Sequence, residues 1–116
     1  VTKLKESNQI INKDLKLEII YTPGHTAGSI CFYLGIDENK FLFTGDTLFP
    51  GGPGKTVDTK SFNKIYNSIT KNIYSLPNET IILPGHGQSI TIEQSKKEFE
   101  NFNFNSLLFG NITWNQ

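Results

Sequence analysis

Methionine and arginine are absent from the 116 residues, cysteine occurs once and histidine twice. The single cysteine, Cys31, excludes an internal disulfide framework and suits a reducing compartment, so a cytoplasmic location is expected. Excess charge is missing too. Eleven basic residues balance eleven acidic ones for a net charge of +0. Nucleic-acid and membrane-surface binding draw on clustered positive charge, so neither is expected. No apolar run approaches the roughly 20 residues of a membrane span, and no signal-peptide pattern is visible. The lack of any Met, with Val1 at the start, raises the expectation that the chain is a piece of a longer translation product. The lack of Arg beside abundant Lys, Asn and Ile reads as coding bias. What is present suffices for a core: 36% hydrophobic residues, 12% aromatics and nine Phe, at a length suited to one domain.

Strands alternate with a few helices, and neither repeats nor a long linker intervene. Leu15 to Ile19 alternates apolar and charged residues, the pattern of a half-buried strand, and stops at Pro23-Gly24. Ile30, Phe32 and Leu34 form a second strand. Asp37-Glu38-Asn39 turns it into Phe41-Leu42-Phe43, which predicts a hairpin. Pro50 to Thr56 is an irregular Gly- and Pro-rich loop by composition. Phe62, Ile65, Ile69 and Ile73 recur at helical spacing with Tyr66 beside them. Asp58, Thr59 and Ser61 are the candidate N-caps, and Leu76-Pro77 is the stop. Thr80 to Leu83 is a short buried strand ended by Pro84-Gly85. Thr91 and Gln94 suit a capping box for a helix that turns Ile92, Ser95, Phe99 and Phe102 inward. Leu107 to Trp114 predicts a turn followed by a last strand or a packed tail.

Chemistry concentrates at the two histidines, and each follows Pro-Gly: Pro23-Gly24-His25 and Pro84-Gly85-His86. A strand ending in Pro-Gly turns sharply at the sheet edge, and glycine permits close backbone approach. Two imidazoles delivered from such corners suit metal ligation better than they suit two unrelated surface histidines. The third place is Asp46 in Phe43-Thr44-Gly45-Asp46-Thr47-Leu48-Phe49. It could cap a turn, but a carboxylate among apolar neighbours costs several kcal/mol unless paired or metal-bound. With two strand-end histidines available, a His/Asp/His set for Zn²⁺ or a similar divalent ion is the better reading.

Gly51-Gly52-Pro53-Gly54-Lys55-Thr56 has the look of a phosphate-binding loop, but Phe49 stands where that loop needs its first Gly, and Pro53 removes a backbone donor. Nucleotide binding is not expected. Lys55 could still meet an anionic group of a substrate.

Thr22-Pro23-Gly24-His25-Thr26-Ala27-Gly28-Ser29, Thr44 to Phe49 and Leu83-Pro84-Gly85-His86-Gly87 closely resemble the second half of metallo-β-lactamase-fold hydrolases, most of all the glyoxalase II-like branch. Order and spacing match, with 21 residues from His25 to Asp46 and 40 from Asp46 to His86, and the likeness runs from about Ile10 to Trp114. The resemblance implies an α/β fold of α+β type, the second half of a four-layer αββα sandwich. It implies His25 as a ligand of a first metal, His86 of a second, and Asp46 as the catalytic bridge between them. Two divalent ions, zinc first with iron or manganese as alternatives, would generate a hydroxide that attacks a thioester or related carbonyl of a small-molecule substrate. Lys55 occupies the position of a lysine that contacts glutathione in glyoxalase II. The Tyr two residues further on is Val57 here, and the family's C-terminal helical region is missing, so glutathione thioesters are not specifically implied. A related sulfur dioxygenase branch fits the residues after Gly45-Asp46 less well.

The family's first-half motif, His-x-His-x-Asp-His, has no counterpart, because no histidine beyond His25 and His86 exists. Residues 1–116 are therefore expected to be the C-terminal half of the domain, inactive alone, with the missing N-terminal half as partner. Two other readings stand beside this one. The chain could be a stand-alone, partner-binding or non-catalytic half-domain, whose sheet would expose an apolar face. It could also bind a single metal through His25, Asp46 and His86.

Overall fold

The computed structural model describes residues 9–12 and 15–115. The alternating segment at the start forms β2 (Leu15–Tyr21), preceded by a short β1 (Gln9–Asn12) that sequence reasoning missed. The expected hairpin is β3 (Ile30–Ile36) and β4 (Asn39–Gly45), turned at Asp37, whose φ of 54° is left-handed. β7 (Ile81–Pro84) and β8 (Ile90–Thr91) complete a six-stranded sheet of order β1-β2-β3-β4-β7-β8. All neighbours pair antiparallel except β4 and β7, which run parallel. A parallel pair needs a long crossover, and the chain between these two strands supplies one.

That crossover begins inside the loop expected to be irregular. There β5 (Leu48–Phe49) pairs with β6 (Gly52–Pro53) as a two-residue ribbon. Helix α1 (Thr59–Asn67) follows. Of the three candidate caps, Asp58 is the one used, its Oδ1 accepting from Ser61 N at 2.7 Å. The helical periodicity continues to Ile73, but not as one α-helix: Ser68–Ile73 is a π-helical turn, closed by Tyr74 N donating to Ile69 O at 2.8 Å. The wider turn keeps Ile69 and Ile73 fully buried beside Phe62 and Ile65. Helix α2 (Ile92–Phe99) starts at the capping box of Thr91 and Gln94. Phe102 lies beyond its end, yet its ring still packs 4.9 Å from that of Trp114. The residues after Phe102 form turns, so the C-terminal segment is the packed tail and not a strand.

Strand alternation sorts the sheet into two faces. Ile20, Cys31, Leu42 and Ile82 point toward the helices and join Phe62, Ile65, Ile69, Ile73, Ile92 and Trp114 in one core. On the reverse face the cross-strand partners are Leu17 with Leu34, Ile19 with Phe32, Phe32 with Phe43, Leu34 with Phe41, Phe41 with Ile81 and Phe43 with Leu83. That face is as apolar as the core side. Except for Ile19, its side chains are half-buried or exposed, Phe43 reaching 40%.

Candidate metal centre

Sheet direction brings the site together. β2 and β4 are both antiparallel to β3, and β7 is parallel to β4, so all three strands end at the same sheet edge. Those ends carry His25, Asp46 and His86 respectively. Ligand-bearing loops at the carboxyl ends of strands are a recurrent way to build a site on a rigid base.

Each corner is fixed by identifiable contacts. After β2, Asn72 donates to the Tyr21 carbonyl at 3.1 Å and Ser68 to the Pro23 carbonyl at 2.9 Å, so the π-helical turn holds the strand end on both sides of Thr22. Gly24 then crosses the helix at φ 148°, where a Cβ would fall on the backbone of Ile65. This is the packing reason for the first Pro-Gly. The second Pro-Gly has its own: Gly85 N donates to Gly45 O at 2.8 Å, and a Cβ on Gly85 would lie 3.2 Å from that carbonyl and 3.4 Å from Asp46 Oδ1. A bulge between Phe43 and Gly45 brings Gly45 opposite Pro84, and so sets Asp46 beside His86.

The three side chains meet around one carboxylate. His25 Nε2 stands 3.8 Å from Asp46 Oδ2, and His86 Nε2 stands 3.7 Å from Asp46 Oδ1. Each imidazole thus faces a different oxygen. Among the described residues no three His, Cys, Asp or Glu side chains surround a common point. The donor set offers, on each side of Asp46, one nitrogen and one oxygen from this chain. It does not fit a single cation held by all three.

The surroundings of the two imidazoles differ. His25, with 32% of its side chain exposed, has Nδ1 2.7 Å from the Lys55 carbonyl. His86, 80% exposed, stacks on Phe49 with ring centroids 4.8 Å apart. A cavity of about 370 Å³ opens over the triad, lined by His25, Asp46, Phe49, Pro53, Gly54, Lys55, His86 and Asn111. Lys55 is thus on the cavity wall. Phe49, Pro53 and Asn111 were missed as site residues. Phe49 could have been suspected from its place three residues after Asp46, whereas Asn111 arrives on the tail with no sequence signal. Beneath Asp46, the buried hydroxyls of Thr22 and Thr47 contact each other at 3.3 Å, and Thr22 contacts Cys31 Sγ at 3.4 Å. Burial pushes the Cys31 thiol up, against the opposing pull of those hydroxyls, so it is an inert core residue and not a nucleophile.

In sequence and fold the chain is similar to known proteins. The family model of the metallo-beta-lactamase superfamily matches residues 1–86. A hydroxyacylglutathione hydrolase of Dictyostelium discoideum is 34% identical over 115 residues, covering 94% of this chain and 42% of that protein. The crystal structure of a metallo-beta-lactamase from Staphylococcus aureus superposes with a TM-score of 0.72 at 29% identity, covering 81% of this chain and 32% of its own. A further crystal structure, of a protein in a di-iron-bound form, superposes with a TM-score of 0.61 at 30% identity, covering 81% of this chain and 44% of its own. The chain therefore spans less than half the length of each of these relatives. With a family model over most of its length and the same fold in solved structures, the chain belongs to the metallo-beta-lactamase superfamily.

Proposed function

We propose that this chain forms one side of the active site of a two-cation hydrolase of the glyoxalase II-like branch. The observation that carries the reading is the single carboxylate with an imidazole facing each of its oxygens. His25 with Asp46 Oδ2 would hold one divalent ion, and His86 with Asp46 Oδ1 the other. Zinc suits nitrogen and carboxylate donors, and the di-iron relative keeps iron as an alternative. Ions at these positions supply Lewis-acid polarisation of a carbonyl and a lowered pKa for water.

The chain's own residues do the rest. Asp46 fixes the separation of the two positions. Phe49 and Pro53 wall the cavity with apolar surface. Lys55, exposed on the rim, offers its ammonium to an anionic group on a thioester or related carbonyl substrate. Among the described residues each cation position has two donors, and zinc prefers four, so the others would come from outside the described residues. The reverse sheet face points the same way. It fits a second sheet, the N-terminal half that would carry the remaining ligands. The unpaired, buried Cys31 is compatible with a cytoplasmic setting.

The test is substitution in the complete protein. His25→Ala, Asp46→Ala and His86→Ala should each lower thioester hydrolysis by about 100-fold or more, since each removes part of the cation site. Unchanged turnover in all three would refute the reading. A half-domain that only binds a partner is favoured by the apolar face alone. It predicts an intact complex with no hydrolysis and no bound metal.

A further inference from the structure

The segment Gly51-Gly52-Pro53-Gly54-Lys55-Thr56 lacks the features of a phosphate-binding loop, yet it is tied down on two sides beside the site. On its inner side, Gly54 N donates to Thr47 O at 2.9 Å. A Cβ on Gly54 would fall on the Asp46 carbonyl oxygen and lie 3.4 Å from His25 Nδ1, so only glycine lets the loop come this close. The next residue turns its carbonyl onto His25: Nδ1 lies 2.7 Å from Lys55 O. A carbonyl can only accept, so Nδ1 carries the hydrogen, and in the neutral ring the lone pair is on Nε2. Nε2 is the nitrogen that faces Asp46.

On its outer side the loop is strapped by the tail. Thr56 N donates to Gly110 O at 3.3 Å, Gly110 N donates back to Thr56 Oγ1 at 3.1 Å, and Trp114 N donates to Gly51 O at 2.7 Å. Trp114 anchors the strap, 1% exposed and edge-on to Phe99 at 4.8 Å. His86 has nothing comparable: among the described residues no hydrogen bond to its Nδ1 is present, and its ring meets the Phe49 stack and, through Nε2, Asp46 Oδ1 at 3.7 Å.

We propose that the Gly51–Thr56 loop, clamped by the C-terminal tail, is a positioning element that locks His25 in the tautomer with Nε2 free for a cation, and that Gly54 and Thr56 are its positioning residues. They act through the Lys55 carbonyl; Gly54 borders the cavity with backbone alone, and Thr56 is not part of its lining. A ligand's other ring nitrogen, when hydrogen-bonded, fixes both ring orientation and basicity. Of the glycines that suggested phosphate binding, Gly54 serves the close approach to Asp46 and Gly52 the close approach to the tail at Ile112 and Thr113.

The inference rests on His25 being a cation ligand, but its test does not need the cation. In the complete protein stripped of metal, long-range ¹H–¹⁵N correlation at alkaline pH, where imidazoles are neutral, should show His25 protonated at Nδ1 and bare at Nε2. His86 is the internal reference for an unclamped ring. Gly54→Ala should shift His25 toward the tautomer mixture of His86 and weaken Zn²⁺ binding in chelator competition by about 10- to 100-fold. Thr56→Val should move both readouts in the same direction, and Thr56→Ser, which keeps the hydroxyl, should restore them. If Gly54→Ala does not fold, the Thr56 pair decides. Lys55→Ala keeps the carbonyl and should keep the tautomer. A wild-type His25 protonated at Nε2, or a tautomer indifferent to Thr56→Val, overturns the positioning role whatever the metal content. The expected tautomer with metal content unchanged in His25→Ala would instead overturn the ligand reading and leave the clamp standing.

Discussion

Gly24 and Gly85 look alike in the sequence and do different work. Gly24 combines a φ of 148° with a site where a Cβ would fall on the Ile65 backbone, and a helix backbone cannot yield as a side-chain tip can. Gly24→Ala should therefore cost about 3 kcal/mol, read as a lowered urea midpoint in the complete protein. At Gly85 the added carbon would meet Gly45 O at 3.2 Å and Asp46 Oδ1 at 3.4 Å. These approaches are far looser than the overlap at Gly24 and are relieved by a shift of a few tenths of an ångström in Gly45 and the Asp46 carboxylate. Gly85→Ala should therefore disturb metal binding while costing less stability than Gly24→Ala. Equal effects at the two glycines would contradict this division. Tyr74 gives a residue-scale prediction in pH. Its hydroxyl lies 2.7 Å from Ser95 Oγ in the core, and burial pushes its pKa up to about 12, against the partial opposing effect of its Ser95 and Trp114 neighbours. A phenol whose folded pKa is raised contributes stability that is complete below its unfolded value, about 10, and is lost as pH rises toward the folded value. Alkaline unfolding should thus steepen between pH 10 and about 12, followed by phenolate absorbance. Tyr74→Phe should remove that component of the slope.

At the scale of elements, the crossover between β4 and β7 connects packing to chemistry. Its π-helical turn presents Ser68 and Asn72 to the Pro23 and Tyr21 carbonyls while Ile69 and Ile73 stay in the core. Ser68 is buried, so Ser68→Ala leaves the Pro23 carbonyl without its donor and should cost about 1–3 kcal/mol. The same change should speed amide exchange at Thr22 and Gly24 more than at the β3–β4 hairpin. Uniform acceleration would show that Ser68 stabilises the core and not the corner. Much of this region was legible beforehand. Phe62, Ile65, Ile69 and Ile73 announce a buried helical stripe, and Asp58 its cap, because both are local patterns. The switch to π-helix was not legible. Its cause is tertiary: the demand to keep two isoleucines inside while two polar side chains reach another strand's carbonyls. His25, Asp46 and His86 were readable for the converse reason, each sitting at a strand end beside a glycine. Phe49's stacking and the Lys55 carbonyl depend on where the β5–β6 ribbon folds back, which no sequence period records. Asn111 depends on a tail whose course is set by Trp114 in the core.

For the molecule as a whole, the deciding feature among the described residues is a sheet with two apolar faces and helices on only one. Phe32, Leu34, Phe41 and Phe43 form an aromatic and aliphatic band in register across β3 and β4, on the face away from the core. Burying a side chain of this size contributes about 1.5–3 kcal/mol, so covering several of them is worth as much as a small domain's net stability. If a second sheet covers this face in the complete protein, one substitution should have opposite effects in two settings. In the 116-residue chain alone, Phe43→Lys places a charge on an exposed surface, Phe43 being 40% exposed, and should reduce self-association and binding of a hydrophobic dye. In the complete protein the same lysine would be buried between sheets without a partner, costing about 2 kcal/mol or more. Urea midpoints for the complete protein, and light scattering with dye fluorescence for the chain alone, measure the two arms. A 116-residue chain that is monomeric, cooperatively folded and dye-free, together with a complete protein indifferent to Phe43→Lys, would mean that water covers this face and that the remaining cation ligands must be sought elsewhere.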